Sequence, residues 1–465
     1  MSYFEKKIFT AILAALAINA TIYAQKDSAI NKVPFDGMDL SWVNGNSRVK
    51  NSLLVLTDNK TGEAILTGTA YIDTYYNYNF ANPIDNTQTI SSTIGRCNEV
   101  SVNLASFGIE TNYKNILGHL SMQAGSMLNI IQDADGSVYR GRNAGTNNLK
   151  YIREARAGYH FNKWYGINIE AGIFMSYIGL ESYMLQDNWN YQRSMVSDFT
   201  PFYFQGARLQ LFPSKKFKTE LWLINGWQSY NSFSNSPSLG SSSYWIPTEN
   251  MQLSANFYLG RDTQNPDTSG HQSNRIRFHH DNSILYRYYK KPNAKSISQA
   301  AFSINTHYGF QNNNEAGDIV KANQNFIAGT ALSSRIWFDK NKMALTLRGD
   351  AVLNQSVVNG VNVFPYLSFT PAAAGGIPNN FDYAIANNEK LKLFQFTATF
   401  DVMPNDYVTF RFEYSYRESN IPYFTGAGGT TSASGWTNGP TPMLPWAADL
   451  KKIENRITVA VNFRL

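Results

Sequence analysis

From Arg456 to Leu465 the sequence reads RITVAVNFRL, and its side chains alternate without interruption. Ile457, Val459, Val461, Phe463 and Leu465 share one face, while Arg456, Thr458, Ala460, Asn462 and Arg464 share the other. A period of two belongs to a strand, because successive side chains of a strand point to opposite faces. The stretch YVTFRFEYSYR repeats the pattern: Val408, Phe410, Phe412, Tyr414 and Tyr416 oppose Thr409, Arg411, Glu413, Ser415 and Arg417. Earlier, Leu66, Ala70, Ile72, Tyr76, Tyr78 and Phe80 oppose Thr67, Thr69, Asp73, Asn77 and Asn79. Leu120, Met122, Ala124, Leu128 and Ile130 oppose His119, Ser121, Gln123 and Asn129, and Phe302, Ile304, Tyr308 and Phe310 oppose Ser303, Asn305, His307 and Gln311. A chain that repeats this contrast throughout must keep one face of a sheet in an apolar medium and the other in water.

Composition agrees. Aromatics make up 14% of the chain and charged residues only 16%, against about 25% charged in ordinary globular domains. The N-terminus, with Lys6 and Lys7 before an apolar run from Ile8 to Ile18 and small residues up to Ala24, reads as a secretory signal peptide over 1–24. Its apolar run is shorter than the roughly 20 residues a spanning helix needs, and no longer run follows. Loss of Glu5, Lys6 and Lys7 with that leader takes the formal charge from +6 to about +5, too mild to argue for nucleic acid and weakly favourable to anionic solutes. Cys97 is the only cysteine, which excludes an internal disulfide. It reads as an exposed thiol at a loop–strand junction.

About sixteen strand-like segments follow between 65 and 465, among them 97–112, 117–131, 196–212 and 217–228. Short connections such as 112–115, 247–250, 339–342 and 403–406 carry Asn, Pro, Asp and Lys, the residues of tight turns. They alternate with long ones: 81–96, 132–148, 178–195, 229–238, 261–274, 312–324, 356–389 and 418–452. That asymmetry is the one an antiparallel up-and-down transmembrane β-barrel shows, with short periplasmic turns and long extracellular loops. Closure also leaves no unpaired backbone edge in hydrocarbon. Trp164, Phe217, Trp245, Trp337 and Tyr407 beside the short turns, and Tyr76, Tyr78, Phe80, Tyr177, Trp227, Tyr414 and Tyr416 at the other strand ends, read as two interfacial belts. The barrel is assigned to 63–465. Residues 25–62 form either a periplasmic N-terminal arm or an extra strand on the first hairpin, with no sign of a large plug domain.

Ser176 to Asn231 contains G-L-E at Gly179–Glu181, N-Y-x-R-S at Asn190–Ser194, P-F-Y-F-x-G-A-R-L at Pro201–Leu209 and N-G-W-Q at Asn225–Gln228. With Arg277–Ile284 and Ala300–Gln311, this stretch resembles the outer-membrane β-barrel porin family of Bacteroidota-type envelopes (porin-2, OmpL-like). The resemblance covers about 63–465. It implies passive diffusion through the outer membrane of a Gram-negative bacterium, without naming a solute.

A barrel of about sixteen strands is wide enough for an aqueous channel, so inward charges matter most. The strand phase puts Asp73, Glu99, Glu154, Arg156, Glu170, Arg208, Arg277, Asp281, Arg348, Asp350, Arg411, Glu413 and Arg417 on the pore lining. They serve either as bracing ion pairs or as a transverse field. The third long loop offers Glu181, Asp187, Trp189, Tyr191 and Arg193 for a constriction. His279 and His280 are adjacent on a strand and cannot share a metal ion, and QDADGS, Gln132–Ser137, lacks the distal ligands of a calcium loop. No cofactor is expected. No nucleophile elbow, phosphate-binding loop or H-E-x-x-H occurs, so no catalysis is expected. The expected partners are outer-membrane lipid and lipopolysaccharide, small polar solutes, the barrel-assembly machinery through Phe463 and Leu465, and, in a homo-oligomer, further copies of the chain. The competing reading is a closed barrel serving as an adhesin or as a subunit of an envelope assembly.

Overall fold

The computed structural model describes residues 32–43, 52–91, 93–132, 135, 149–232, 236–261, 276–311, 326–355, 357–358, 361–362, 390–430, 432–436 and 449–465. The expected leader, the calcium-like turn beyond Asp135 and most of the loop 356–389 lie outside them.

Among the described residues, sixteen strands follow one another in chain order. They are β1 (Ala64–Asn79), β2 (Val100–Tyr113), β3 (Ile116–Ala124), β4 (Ile152–Phe161), β5 (Ile167–Met175), β6 (Tyr203–Ser214), β7 (Phe217–Ile224) and β8 (Ser238–Thr248). Then come β9 (Met251–Gly260), β10 (Arg277–Lys290), β11 (Ile297–Gln311), β12 (Phe326–Phe338), β13 (Met343–Gln355), β14 (Leu391–Val402), β15 (Val408–Ser419) and β16 (Ile453–Arg464). Each pairs antiparallel with its sequence neighbours. β16 pairs with β1 from Tyr71↔Arg464 to Asn79↔Arg456, so the sheet closes into a barrel. A short strand, Val55–Thr57, extends the β1 side of that seam beyond the end of β16.

The alternation read from the sequence is the wall. Ile457, Val459, Val461, Phe410, Phe412 and Tyr414 are exposed on the outside, while Arg456, Thr458, Asn462, Arg411 and Glu413 are buried inside. Tight turns close the hairpins at one end. Between β2 and β3, Lys114 and Asn115 hold φ of 49° and 69°, the pair of positive values that a two-residue hairpin turn requires.

Several expectations need correction. Strand β3 ends at Ala124, and Ser126–Ile131 is a helix (α1) whose Leu128 and Ile130 are buried instead of facing lipid. The cause is Gly125 at φ +134°, where a Cβ would stand 2.3 Å from the Asn103 carbonyl oxygen and the chain turns out of the sheet. The segment 196–212 starts as a helix, α2 (Met195–Asp198), and becomes a strand only at Tyr203. Trp337, Tyr177 and Trp227 are not interfacial anchors. Trp337 and Tyr177 are buried in clusters inside the barrel, and Trp227 stacks on the inward His279 at 3.9 Å. Cys97 is buried, not exposed, and that burial pushes its thiol up to about 12.

The lumen also departs from an open, wet tube. Apolar clusters fill much of it. One joins Phe174, Phe204, Trp222 and Tyr258 of the wall to Tyr177 and Ile178; another gathers α1 against Tyr71, Leu104, Tyr183 and Phe202. Wall side chains alone cannot fill a cylinder of sixteen strands, so inward-folded loops bring apolar groups, and the wall answers with apolar positions opposite them.

Candidate functional site

The third long loop, 176–202, enters the barrel at Gly179, whose φ of +94° and close approach to Thr200 admit no side chain without strain. Ser194 caps α2 by accepting a hydrogen bond from the Ser197 amide at 3.2 Å. Between these fixed points the loop lies along the inner face of β12 to β16 and β1. Its hold comes from buried charge. Arg411 donates to the carbonyls of Leu185, Asn188 and Trp189 at 2.7–3.0 Å and pairs with Asp401 at 2.8 Å. Arg335 donates to the Trp189 carbonyl at 2.8 Å and to Asp401 at 2.7 Å. Glu413 accepts from the amides of Tyr191 (2.6 Å) and Gln192 (3.1 Å), and Asp350 accepts from the amide of Met195 at 2.9 Å. Arg348 reaches Glu181 at 2.7 Å, Asp350 at 3.0 Å and the carbonyls of Gln192 and Arg193. Backbone groups with no sheet partner are thus satisfied by wall charges, as burial demands. Burial alone would raise the Glu181 carboxyl, but Arg348 and Ser194 outweigh it and hold it below its usual range.

Asp73, Arg348, Asp350, Arg411 and Glu413 lie on the inner wall, buried under or beside this loop, while Arg417 is buried against Glu454, the Thr89 carbonyl of the first loop and the Phe424 ring; Asp73 accepts from Asn103, Tyr191 and Asn462. Glu154, Arg156, Glu170 and Arg208 form a separate ladder across β4 to β6, with Arg156–Glu154 at 2.6 Å, Arg156–Glu170 at 3.0 Å and an Arg208–Glu170 pair. Arg277 and Asp281 sit inside on β10, Arg277 at 5.6 Å over Trp227 and Asp281 bonded to Asn305 and His307. Glu99 is the exception. The strand begins one residue later, at Val100, and Glu99 pairs with Arg96 within the first loop. Glu181, Asp187, Trp189, Tyr191 and Arg193 all lie inside the barrel, and Arg464 pairs with Asp187 at 2.6 Å.

Because the loop is bound to one side, a recess remains opposite, against β10 to β12. It is lined by Glu181, Asn190, Arg348, Ser303, Asn305 and Ser333 beside the apolar Val43, Leu180, Leu285 and Ala331. His279 on β10 and His307 on β11 meet at 2.9 Å, a cross-strand contact invisible to spacing along one strand. Among the described residues no group of three or more His, Cys, Asp or Glu side chains is placed to hold a metal ion. Asp401 and Arg335, central to the loop's hold, are not among the pore-lining residues expected from the sequence. Their phase with Thr397, Thr399 and Ser333 was the available signal.

The family model described as "Putative beta-barrel porin-2, OmpL-like" matches residues 65–439. No curated protein matches the sequence. Among solved structures, the outer membrane channel DcaP of Acinetobacter baumannii is similar at 12% identity, over 89% of this chain and 100% of that one, with a TM-score of 0.48. An anion-selective porin from Comamonas acidovorans is similar at 6% identity, over 87% of this chain and 100% of that one, with a TM-score of 0.49. OmpF of Salmonella typhi, in complex with daunomycin, is similar at 10% identity, over 88% and 100% of the two chains, with a TM-score of 0.48. With the family model spanning most of the closed barrel, the chain belongs to the beta-barrel porin-2, OmpL-like family of outer-membrane proteins.

Proposed function

We infer that this porin passes small hydrophilic solutes by passive diffusion, along the recess between the third loop and β10 to β12. The observation that carries the reading is the one-sided hold of that loop. Its carboxylates Glu181 and Asp187 pair with Arg348 and Arg464 of the β12 to β16 wall, leaving a passage in which hydroxyls, amides and charges of both signs stand beside apolar side chains. In a low-dielectric wall such groups replace part of a polar solute's hydration, and an apolar solute gains nothing from them. The short turns are read as periplasmic, the long loops as extracellular and the apolar outer face as lying in outer-membrane lipid, with 1–24 serving as the leader.

Purified protein in planar bilayers is expected to give steady ohmic steps, and liposomes containing it should swell in small sugars. A bilayer that stays sealed at high protein load contradicts the reading. The packed lumen favours one alternative, a closed barrel acting as an adhesin or envelope subunit, for which a stoichiometric partner would be recovered and no current seen.

A further inference from the structure

Residues 33–43 fold against the barrel end that carries the short turns. The Phe35 amide donates to the Lys215 carbonyl at 2.9 Å in the β6–β7 turn, and the Asp39 amide donates to Glu249 at 3.2 Å in the β8–β9 turn. From there Trp42 enters the lumen. It is 1% exposed and packs with Leu285, Ala301, Trp337, Met403 and Trp189 of the third loop. Its indole N–H donates to the Glu249 carbonyl at 2.9 Å, and its own carbonyl accepts from the indole of Trp189 at 3.1 Å. Val43, the next residue, lines the recess itself.

The two inserted segments are held differently. The third loop is fixed by fully buried wall side chains such as Arg411, which pairs with Asp401 of the neighbouring strand and donates to the loop carbonyls of Leu185, Asn188 and Trp189. The N-terminal segment is held at its rim by Asp39–Lys290 (3.0 Å) and Asp39–Arg287 (2.9 Å), with Glu249 at 2.8 Å from Lys290; Asp39, Lys290 and Glu249 are about a third exposed. Exposed pairs contribute little in water. Arg287 also donates to Asn250 and Gln299, both at 2.9 Å, so departure of Asp39 does not strand a buried cation.

We propose that residues 33–43 are an exchangeable latch that closes the recess from the short-turn end. The cradle formed by Arg287, Lys290, Glu249, Trp189 and Trp337 is then a binding site for a short acidic, tryptophan-bearing peptide, occupied in cis by this chain's own segment. The gate rests on the channel reading above; the cradle does not.

The test uses the full-length protein in planar bilayers beside Trp42→Ala and Asp39→Asn, the latter at the exposed rim where folding is not at stake. Both variants are expected to raise open probability several-fold. A synthetic peptide of residues 33–43, added on the short-turn side, should return Trp42→Ala to the closed level, while the same peptide carrying Trp42→Ala should not. Channels that gate identically in all three proteins and ignore the peptide overturn the latch while leaving the channel standing. Anisotropy of a labelled peptide that binds Trp42→Ala protein, with no current from any variant, overturns the channel and its gate together. No binding in that assay overturns the cradle.

Discussion

Asp401 shows how few side chains hold the interior together. It receives two guanidinium groups, Arg335 and Arg411, and all three side chains are fully buried. Asp401→Ala leaves both cations without their carboxylate, and breaking a buried pair in this way costs about 3–5 kcal/mol. The urea midpoint of the folded barrel in detergent should fall accordingly, and an unshifted midpoint would show that the pair does not brace the fold. Asp39 makes the opposite case at the rim. Partial burial would raise its pKa, but Ser41, Arg287 and Lys290 outweigh it and hold the carboxyl well below the usual range. Glu249 is lowered too, chiefly by Lys290. A depressed carboxylate stabilises the closed segment above its released pKa, about 4, and that stabilisation is lost as pH falls through the folded value. Conductance should therefore rise below about pH 4, less so in Asp39→Asn, and a pH response unchanged by that variant would remove Asp39 from the mechanism. Inward residues were legible from phase alone; their partners were not. Arg411 and Glu413 stand two residues apart on one face of β15, yet each faces a different group of the third loop, because partner choice is set by contacts more than two hundred residues apart in sequence.

At the scale of the element, period two located the strands because a lipid-facing wall enforces strict alternation. The cost of violating it is measurable: Val459→Arg on the outer face of β16 should destabilise the barrel in lipid by about 2–4 kcal/mol if it lies near the midplane. A folding free energy in liposomes equal to wild type would place that face away from hydrocarbon. Elements that leave the sheet were less legible. Helix α1 continues the apolar alternation of β3 through Leu128 and Ile130, and only Gly125 marks the exit. Gly125→Val should block that exit, since its Cβ would collide with the Asn103 backbone. Loss of the heat-modifiable folded band on electrophoresis is the expected outcome, and a normal band would mean the turn tolerates a side chain.

The whole molecule is a barrel whose interior is divided. One side holds the third loop, bonded through buried charge, and the other keeps a recess of mixed polar and apolar lining that the N-terminal segment reaches from the short-turn end. Closure and strand number followed from the repeated hairpin pattern. The packed lumen did not, because apolar wall positions such as Trp222 and Tyr258 have the spacing of pore-lining residues and only the loops opposite make them core. Nor did the segment around Trp42, whose short sequence lacks any periodicity to read. Where solute passes can be tested at two wall serines. Ser333 lines the recess, whereas Ser415 is buried on β15, the side that holds the third loop. In a Cys97→Ser background, Ser333→Cys and Ser415→Cys channels would be exposed to a charged methanethiosulfonate reagent during single-channel recording. The account predicts a stepwise loss of current for Ser333→Cys and none for Ser415→Cys; block at Ser415→Cys with Ser333→Cys untouched would contradict it.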